Sequence, residues 1–564
     1  MSDWKIRDQS IIDGGVKDEL KEYNKLLIQL LFNRGIKSKT DIENFLHPLL
    51  SKLPSITKWK NLEKVVGKIN KAIDEKKKIY IWGDYDADGI CATSILWEYL
   101  YNEKQANVLP FIPDRLNEGY GVTKTAIKRL SKREIDLIIT VDCGIRDKEA
   151  IEYAQKKGIE VIVTDHHKLP QKKDLPKCLL LHQDLNNCDE FSGLSGAGVA
   201  WFLISGFIYY KDKENFSYLS VPGIDLVALT ILSDSMPAVG INRILLFHGI
   251  ATLRTTKRVG LNLLMKHSKV DKLELTSRDL QFGIIPKINS TGRIGDPLDS
   301  VRLLITSNSQ TAQKYVSRLD EVNNRRKTIT EEVYKECLLD SNKIVDDSVF
   351  ASAGNNWAAG VIGIVAGKIN LKFHKLALVL SKSETESVGS IRGIDGISII
   401  ETLNRLSGYL VRYGGYDQAA GFTIKNDQID PFVKHFNEIV KKELHKLSRL
   451  PTYVIDLVLS VDDLHWKTYL TINLLRPFGY LNEVPLIMLQ GVNICNMKVV
   501  GKTHLSFVAR GIYNETRCIA FGLGYLYSKL RENGSYDIIG NLEVNKWNDN
   551  ENLQFNVKEI RTSI

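Results

Sequence analysis

The sequence predicts an α/β protein with a parallel-sheet catalytic domain, a long connecting helix, a second α/β domain and a C-terminal β-barrel. Three observations carry this expectation. Between about residues 74 and 250, apolar strand-like runs such as Lys78–Trp82 (KIYIW), Ile135–Val141 (IDLIITV) and Ile159–Val163 (IEVIV) alternate with helical runs, Ala92–Tyr101 and Asp147–Lys157 among them. Strands that alternate with helices form parallel sheets. A charged run, Leu319–Lys327 (LDEVNNRRK), then follows Val301–Leu304 and is expected to lie in a long exposed helix. After about residue 450 the texture changes to short strand runs, Tyr453–Leu459, Val484–Met488, His504–Arg510 and Arg517–Phe521, broken by turn signals such as Asn514-Glu515. Several short strands in about 110 residues suit a small barrel.

Taken in order, residues 1–72 are expected to be a helical lead-in, with Leu26, Leu27, Leu30 and Leu31 as its apolar stripe. Residues 73–255 form the catalytic domain and 256–343 a helical connector. Residues 344–446 form the second α/β domain, where strands return at Ser348–Ala351, Leu376–Leu380 and Gly421–Ile424, and 447–564 form the barrel. A chain of 564 residues is too long for one core, and roughly three to four domains are expected. Charged residues at 25% and hydrophobic residues at 43% are ordinary for a globular protein. The net charge of +9 leans toward a polyanionic partner. Cys91, Cys143, Cys178, Cys188, Cys337, Cys495 and Cys518 are scattered and make no CxxC pair. They fit reduced thiols in the cytoplasm. The N-terminus has no signal pattern, and the most apolar stretch, Val199–Tyr210, is shorter than the about 20 residues a bilayer crossing needs. No membrane association is expected.

The chemistry is concentrated at strand ends. KIYIW runs into Gly83-Asp84-Tyr85-Asp86-Ala87-Asp88-Gly89, IDLIITV into Asp142-Cys143-Gly144-Ile145, and IEVIV into Thr164-Asp165-His166-His167. A further acid, Asp234, follows the apolar run Leu226–Leu232. Ligand sites of open α/β sheets lie at the carboxyl ends of the strands. Alternating acids can face one side, and Gly89 lets the backbone turn beside them. Carboxylates from separate strands can bridge two divalent ions about 3.5–4 Å apart, a spacing suited to in-line displacement at phosphorus. Such ions lower the pKa of a water and neutralise phosphoryl charge. Mixed carboxylate and imidazole ligation favours Mn²⁺ over Mg²⁺. The expected metal ligands are Asp84, Asp86, Asp142, His166 and Asp234, with Asp88, Asp165 and His167 completing the catalytic set. Each piece alone also suits something plainer: a calcium loop, a strand end, or core histidines. The four in order do not.

These motifs resemble those of the DHH phosphoesterase superfamily, and more of the chain resembles one branch, the RecJ single-strand-specific exonucleases. Phe111–Arg115 with Glu118–Gly121 is similar to that branch's PxR…EGYG segment. Leu194–Ala200 resembles its LSGAGVA, and Pro286–Arg293 its PRINAAGR. Arg34-Gly35-Ile36 and Asn242-Arg243 also match. Trp357–Ala366, Gly389–Arg392 and Gly414–Gly421 resemble the WHxGVIGIVA, GSxRS and GGHxxAAG of the DHH-associated domain. Leu475–Pro485 and Val500–Leu505 resemble the opening of an oligonucleotide-binding (OB) barrel.

The resemblance implies phosphate binding by Arg115, Asn289, Arg293, Ser390, Arg392, Gly414, Gly415 and Tyr416. For the barrel, single-strand contacts are expected from Lys498, Lys502, Arg510, Tyr513, Arg517 and Trp547, each of which also fits a solvated or core position. Three residues depart from the family: Ala358 and Tyr416 stand where it has histidines, and Gly393 where it has serine. A tyrosine hydroxyl still donates a hydrogen bond but lacks imidazole's positive form. The implied activity is 5′→3′ hydrolysis of single-stranded DNA with two Mn²⁺ or Mg²⁺ ions, in recombination and repair. The implied protein is a monomer with a helicase and a single-strand-binding protein as partners. Two alternatives stay open: a DHH phosphodiesterase of short oligonucleotides or cyclic dinucleotides, and a weakly active DNA-binding scaffold. The barrel region argues against the first, and the intact motif acids against the second.

Overall fold

The computed structural model describes residues 3–9, 11, 18–115, 118–185, 189–340, 344–345, 348–444, 452–547 and 550–563. They fold as two compact units. One comprises Pro54–Met236 and His248–Arg449; the other comprises Met1–Leu53, Pro237–Phe247 and Leu450–Ile564.

The first unit opens with a five-stranded parallel sheet. Its order is Val108–Phe111, Ile79–Trp82, Leu137–Val141, Glu160–Asp165, Leu179–His182. Ile79–Trp82 and Leu137–Val141 are buried at every position, because helices cover both faces of a parallel sheet and its strands read as continuous apolar runs. From Ile79–Trp82 the chain passes first to one neighbour and then to the other. The topological switch therefore falls between that strand and Leu137–Val141, the two whose carboxyl ends carry Asp84, Asp86 and Asp142. The apolar stretch at Val199 is part of the helix Gly196–Lys211, buried from Gly196 to Phe207. A helix that is hydrophobic all round belongs in a core.

The helix Ser309–Leu339 spans 31 residues. It was expected to be exposed, but one stripe is buried: Ala312, Val316, Leu319, Asn323, Thr330, Val333 and Cys337. The three- and four-residue spacing is that of one helix face. The charged run thus keeps most of its charges outward, while Asn323 and the Arg326 Nε are buried. The helix leads into a mixed six-stranded sheet. Its order is Leu410–Gly415, Ala419–Lys425, Glu386–Arg392, Leu376–Lys382, Val349–Asn355, Ile344–Val345, and Val349–Asn355 and Leu376–Lys382 run parallel. The helix Ala359–Phe373 covers it, with Val361, Ile362, Val365, Ala366 and Ile369 buried.

In the second unit, Ile487–Val500, His504–Arg510, Glu515–Ala520, Asn550–Thr562 and Ser535–Trp547 pair in sequence, and Ile487–Val500 closes the barrel on Ser535–Trp547. The expected lead-in differs from the sequence reading at its start, where Asp3–Ile6 forms a strand paired with Thr452–Ile455. Leu27, Ile28, Leu30 and Leu31 share one core with Leu457, Ile487, Phe507 and Phe555 of the barrel. The family-like Arg34 and Arg243 are staples here. Arg243 stacks 3.4 Å from the Phe45 ring centre and donates to the carbonyls of Phe45, Leu475 and Arg476. Arg34 donates to Asn482 Oδ1 and the Glu483 carbonyl. Among the described residues no helix is long and apolar enough to cross a membrane. Cys91, Cys143, Cys178, Cys337, Cys495 and Cys518 are free thiols, and Cys188 lies outside the described residues.

Behind the catalytic sheet, Arg258 binds Glu98 Oε1 at 2.6 Å and Asp225 Oδ2 at 2.8 Å, all three largely buried. Removing the cation leaves two carboxylates in low dielectric without a counter-charge, Asp225 keeping only the Thr256 hydroxyl and the Leu226 N–H, and such losses run to about 3–5 kcal/mol. Arg258→Met should therefore destabilise this unit by about 3 kcal/mol, read as a lower urea midpoint at unchanged m-value.

Candidate metal centre

The first acid loop is built by its own backbone. Asp86 caps the helix Ala87–Glu98, its Oδ1 accepting the N–H of Asp88 and of Gly89. A Cβ on Gly89 would lie 2.5 Å from the Asp84 backbone, so only glycine fits. Asp142 sits just past its strand at φ 61°, a left-handed conformation that a non-glycine residue holds only under constraint. The constraint includes Gly196: a Cβ there would lie 2.5 Å from the Asp142 Cβ. Asp234 ends the helix Ile224–Ser233 rather than a strand.

Three ligand sets lie with their atoms within 4.8 Å of one another: Asp84, Asp86 and Asp142; Asp88, His166 and Asp234; and Asp142, His166 and His167. Asp142 and His166 each belong to two sets, the pattern of a shared, two-ion site. Asp84 Oδ1, Asp142 Oδ1 and His166 Nε2 are buried without a hydrogen-bond partner. His166 Nε2 approaches Asp142 Oδ1 to 3.0 Å without hydrogen-bond geometry. Buried orphan oxygens and a bare imidazole nitrogen aimed at one place fit a cation, since buried polar atoms are otherwise satisfied. The expected metal residues, Asp84, Asp86, Asp142, His166 and Asp234, all meet here.

The other three motif residues have different jobs. Both Asp88 oxygens accept backbone N–H groups, from Gly196 at 2.6 Å and Ala197 at 2.8 Å. Asp88 thereby anchors the start of the helix Gly196–Lys211. Asp165 accepts from the N–H of Ile145, His166 and His167, and lies 2.8 Å from His167 Nδ1. His167 Nε2 lies 3.1 Å from the Tyr120 hydroxyl. Both His167 nitrogens are thus engaged, whereas His166 keeps Nε2 without a partner.

The electrostatics follow from crowding. Burial raises Asp84, Asp142 and Asp234 well above the usual carboxylate range, and their acidic neighbours raise them further. Burial and Asp86 push Asp88 up to about 7, against the Ala197 and Gly196 N–H groups. Burial, then the His167 charge, lowers His166 to about 3. Burial opposes the charged form of His167, but the Asp165 hydrogen bond and charge raise it to about 9. The same pair holds Asp165 below its usual value against the cost of its burial. A cation would remove the strain among the four raised carboxylates and use the neutral form of His166.

Arginines from three parts of the same unit supply the opposite charge: Arg115 from the catalytic domain, Arg293 and Arg326 from the connector, and Arg392 from the second lobe. Arg293 donates to the Gly360 carbonyl at 3.2 Å. Burial, then Arg115, Arg326 and Arg392, lowers it to about 10, with only Asp86 opposing. Four guanidiniums therefore gather beside the acidic centre. Gly363 of the helix Ala359–Phe373 lies so close to Ser390 and Arg392 that a Cβ would be 3.0 Å from Ser390 Oγ and 3.3 Å from the Arg392 guanidinium. Ala358, the N-cap of that helix, makes no side-chain cap. Arg115 stacks on Tyr85, 4.7 Å from the ring centre. Tyr416 is exposed on the turn after Leu410–Gly415. Partial burial, then the charges of Asp234, Asp142 and Asp165, raises its hydroxyl to about 12.

Other residues of the expected phosphate set are structural. Asn289 Oδ1 accepts the Ala87 N–H at 2.8 Å, bracing the acid loop. Gly415 adopts φ 146°, and a Cβ there would lie 2.4 Å from the Ala419 carbonyl, so the glycine serves the turn. Gly414 pairs with Gly421 in the ladder. Lys498, Lys502, Arg510, Tyr513 and Arg517 are exposed on the barrel; the Trp547 side chain lies outside the described residues.

Sequence reasoning missed Tyr120 and Arg326. Tyr120 stood inside the EGYG segment, but nothing local tells its hydroxyl's partner. Arg326 carries a buried Nε without a partner. Its signal was available: it lies three residues after Asn323, which is on the buried stripe of its helix.

A buried acidic-imidazole centre at the switch point of a parallel sheet, opposed by arginines from the catalytic domain, the connector and the second α/β lobe, defines a metal-dependent phosphoesterase. The comparisons with known proteins agree. The DHH family N-terminal domain matches residues 78–231, the DHHA1 domain 346–442, and the RecJ OB domain 455–559. The chain is 30% identical over 545 residues to the single-stranded-DNA-specific exonuclease RecJ of Bacillus subtilis, covering 95% of this chain and 68% of that one. It is 30% identical over 543 residues to RecJ of Thermus thermophilus, covering 94% and 74%. The crystal structure of Thermus thermophilus RecJ in complex with Mn²⁺ superposes with a TM-score of 0.83 at 26% identity, covering 100% of this chain and 80% of that one. The same protein's Mg²⁺ complex gives 0.77 at 25% identity, covering 100% and 79%. This chain belongs to the RecJ family of DHH phosphoesterases.

The raised carboxylates have a thermodynamic consequence without metal. A carboxyl raised by folding stabilises the fold below its unfolded value and loses that contribution as pH rises through its folded value. For Asp88 the window runs from 3.8 to about 7; Asp84, Asp142 and Asp234 act in the same sense. His167 adds a loss between 6.5 and about 9. His166, depressed to about 3, opposes them only below 6.5. The metal-free protein should therefore lose thermal stability steadily from pH 6.5 to 9. Mn²⁺ should raise Tm most at the alkaline end, where it displaces fewest protons. Thermal melts with chelator and with Mn²⁺ across that range check both halves, and Asp142→Asn should abolish the Mn²⁺ effect.

Proposed function

We propose that this chain is an exonuclease specific for single-stranded DNA, hydrolysing phosphodiester bonds in the 5′→3′ direction with two Mn²⁺ or Mg²⁺ ions. The observation that carries the reading is the sharing of Asp142 and His166 between ligand sets, with an arginine cluster opposite. Asp84, Asp86, Asp142, Asp234 and His166 would hold the ions. Bound there, the ions supply an activated water and neutralise charge on the phosphoryl group. Asp88 and Asp165 are positioning residues, acting through the helix start and through His167. The protonated His167, oriented by Asp165 beside Tyr120, presents a positive charge to the phosphate. Arg115, Arg293 and Arg392, with Ser390, grip the strand's terminal or adjacent phosphate, where guanidinium forks make bidentate contacts. Arg326 joins them through its unpaired Nε. Tyr416 offers a neutral hydroxyl from the second lobe.

The single-strand requirement follows from the lobes' proximity. Gly119 of the catalytic domain lies 3.1 Å, as a Cβ, from the Arg412 guanidinium of the second sheet, and Arg293 reaches Gly360. Lobes tied together at both points leave less room beside the centre than a duplex, about 20 Å wide, would need. The scattered thiols suit a cytoplasmic setting, and the barrel suits contact with a single strand; a monomer with a helicase and a single-strand-binding protein as partners completes the reading. End-labelled single strand, blunt duplex and a cyclic dinucleotide, each with Mn²⁺, Mg²⁺ or chelator, test the reading. Digestion of duplex at the rate of single strand, or of the dinucleotide in preference to long strand, would overturn it.

Asp86→Ala or Asp142→Ala should lower cleavage by at least about 10³-fold, ~4 kcal/mol at the transition state. DNA binding by the purified variants in chelator should be nearly unchanged.

In the second lobe, charge-assisted hydrogen bonds to phosphate are about twice as strong as neutral ones. Tyr416→His, alone or with Ala358→His, should raise kcat/KM, most visibly below about pH 6.5 where imidazole is charged. Arg392→Ala should lower it far more. Kinetics from pH 6 to 8 would expose a wrong assignment: neutral histidine variants beside a silent Arg392→Ala.

A further inference from the structure

The helix Lys148–Lys156 begins at an aspartate that does not cap it. Asp147 holds the N-cap position, yet its side chain accepts no N–H from that helix. An aspartate in this place ordinarily binds the N–H two or three residues on and stabilises the helix by doing so. The Asp147 carboxylate is turned to another element instead, where Oδ2 accepts the Val122 N–H at 2.7 Å. Thr123, the next residue after Val122, does cap its own helix, accepting the Ala126 N–H. Capping is kept at one helix and forgone at the other, and the gain is a grip on segment 118–122.

That segment has little stiffness of its own. Gly119 and Gly121 flank Tyr120 at φ 84° and 73°, in the left-handed region that glycine enters and leaves at little cost. A Cβ on Gly121 would collide with the Asp147 carboxylate, so this glycine also makes room for the pin. Tyr120 is 47% exposed, and its ring meets those of Tyr85 and His167 only edge-on, at 6.2 and 6.0 Å between centres. Its hydroxyl nonetheless lies 3.1 Å from His167 Nε2. Trp82 adds a longer bond, 3.3 Å, from Nε1 to the Gly121 carbonyl. Asp147 also shares a short loop with the metal-site acid Asp142, and within that loop the Ile145 N–H donates to Asp165 at 2.9 Å. The loop 142–147 therefore touches both partners of His167: Asp165 directly, and Tyr120 through Val122.

We propose that Asp147 is a positioning residue for phosphodiester hydrolysis. By holding Val122 it keeps the Tyr120 hydroxyl on His167 Nε2 and so fixes the imidazole relative to the phosphate of the bound strand. Asp165 orients His167 from the Nδ1 side, and Asp147, acting through Tyr120, orients it from the other. This rests on the exonuclease reading above. A group misplaced by about 1 Å costs up to about 100-fold in rate. A contact that matters in the transition state and little in the ground state lowers kcat at nearly constant KM.

The test uses the full chain with Mn²⁺ on an end-labelled single strand, together with hydrogen exchange of segment 118–123. Asp147→Ser removes the pin without endangering the fold, because serine is itself a good N-cap but its side chain is one bond shorter. It should lower kcat by about 10- to 100-fold, leave KM within about twofold, and speed exchange at the Val122 amide. Asp147→Asn keeps an acceptor oxygen for that N–H and should recover most of the rate and the protection. A double-mutant cycle ties the effect to Tyr120: on a Tyr120→Phe background, Asp147→Ser should cost less than about twofold more. Wild-type kcat in Asp147→Ser overturns the proposal. So does an equal loss on both backgrounds, the result a purely structural role would give. If the wild-type chain does not cut the single strand, the exonuclease reading falls by itself. Exchange still decides the pin in that case, and unchanged protection of Val122 in Asp147→Ser refutes it.

Discussion

Like charges held together out of water are the constraint on which this molecule turns. Asp84, Asp88, Asp142 and Asp165 are buried, and Asp86 and Asp234 stand beside them. Burial and acidic neighbours disfavour the charged forms of Asp84, Asp88, Asp142 and Asp234, while His167 and His166 hold Asp165 charged, so the four raised carboxylates oppose the fold until cations arrive. Much of the local architecture holds the cluster in place regardless. Gly89 and Gly196 admit backbone and side chain where a Cβ would collide. Asn289 braces the acid loop, the Gly196 and Ala197 N–H groups neutralise Asp88, and three N–H groups with His167 satisfy Asp165. The site is paid for by its scaffold and completed by its metal.

The arginine cluster is the complementary half of the same problem. Arg115, Arg326 and Arg392 crowd Arg293, and Asp86 partly offsets them. Arg115 in turn partly offsets the burial of Asp84, so the two halves compensate each other only in part. Cations on one side and a polyanionic strand on the other remove both strains at once, which ties substrate affinity to metal occupancy. In low dielectric such preorganised charges act at the point where charge develops and need little reorganisation.

The catalytic half of this arrangement was legible in the sequence for a physical reason. Parallel strands buried on both faces read as unbroken apolar runs, so KIYIW, IDLIITV and IEVIV declare themselves, and polar residues that close them stand at the functional edge. The closed barrel was legible from strand length and turn chemistry. The long helix was legible in extent but not in orientation. Its outward charges masked a buried stripe, and Arg326 was read as solvated although its three-residue step from Asn323 places it on the inner side. The strand Asp3–Ile6 was not legible at all, because its partner, Thr452–Ile455, lies at the far end of the chain.

By itself, then, the sequence marked where the metal chemistry is expected: acids and histidines that follow apolar runs, side-chain types able to bind a divalent ion. These follow from local periodicity and residue chemistry, which any short window contains; the phosphate-binding arginines came only from the motifs that resemble the family. Only the tertiary structure decided what each one does. Asp88 and Asp142 are both motif aspartates. One has both oxygens occupied by backbone N–H groups from residues 196 and 197, and the other has a bare buried oxygen aimed at a cation. His166 and His167 are adjacent in the chain, yet one keeps a free nitrogen and the other has both engaged. A hydrogen-bond partner brought in from a hundred residues away leaves no trace in local pattern, and that partner settles whether a polar side chain supports the site or serves as its ligand.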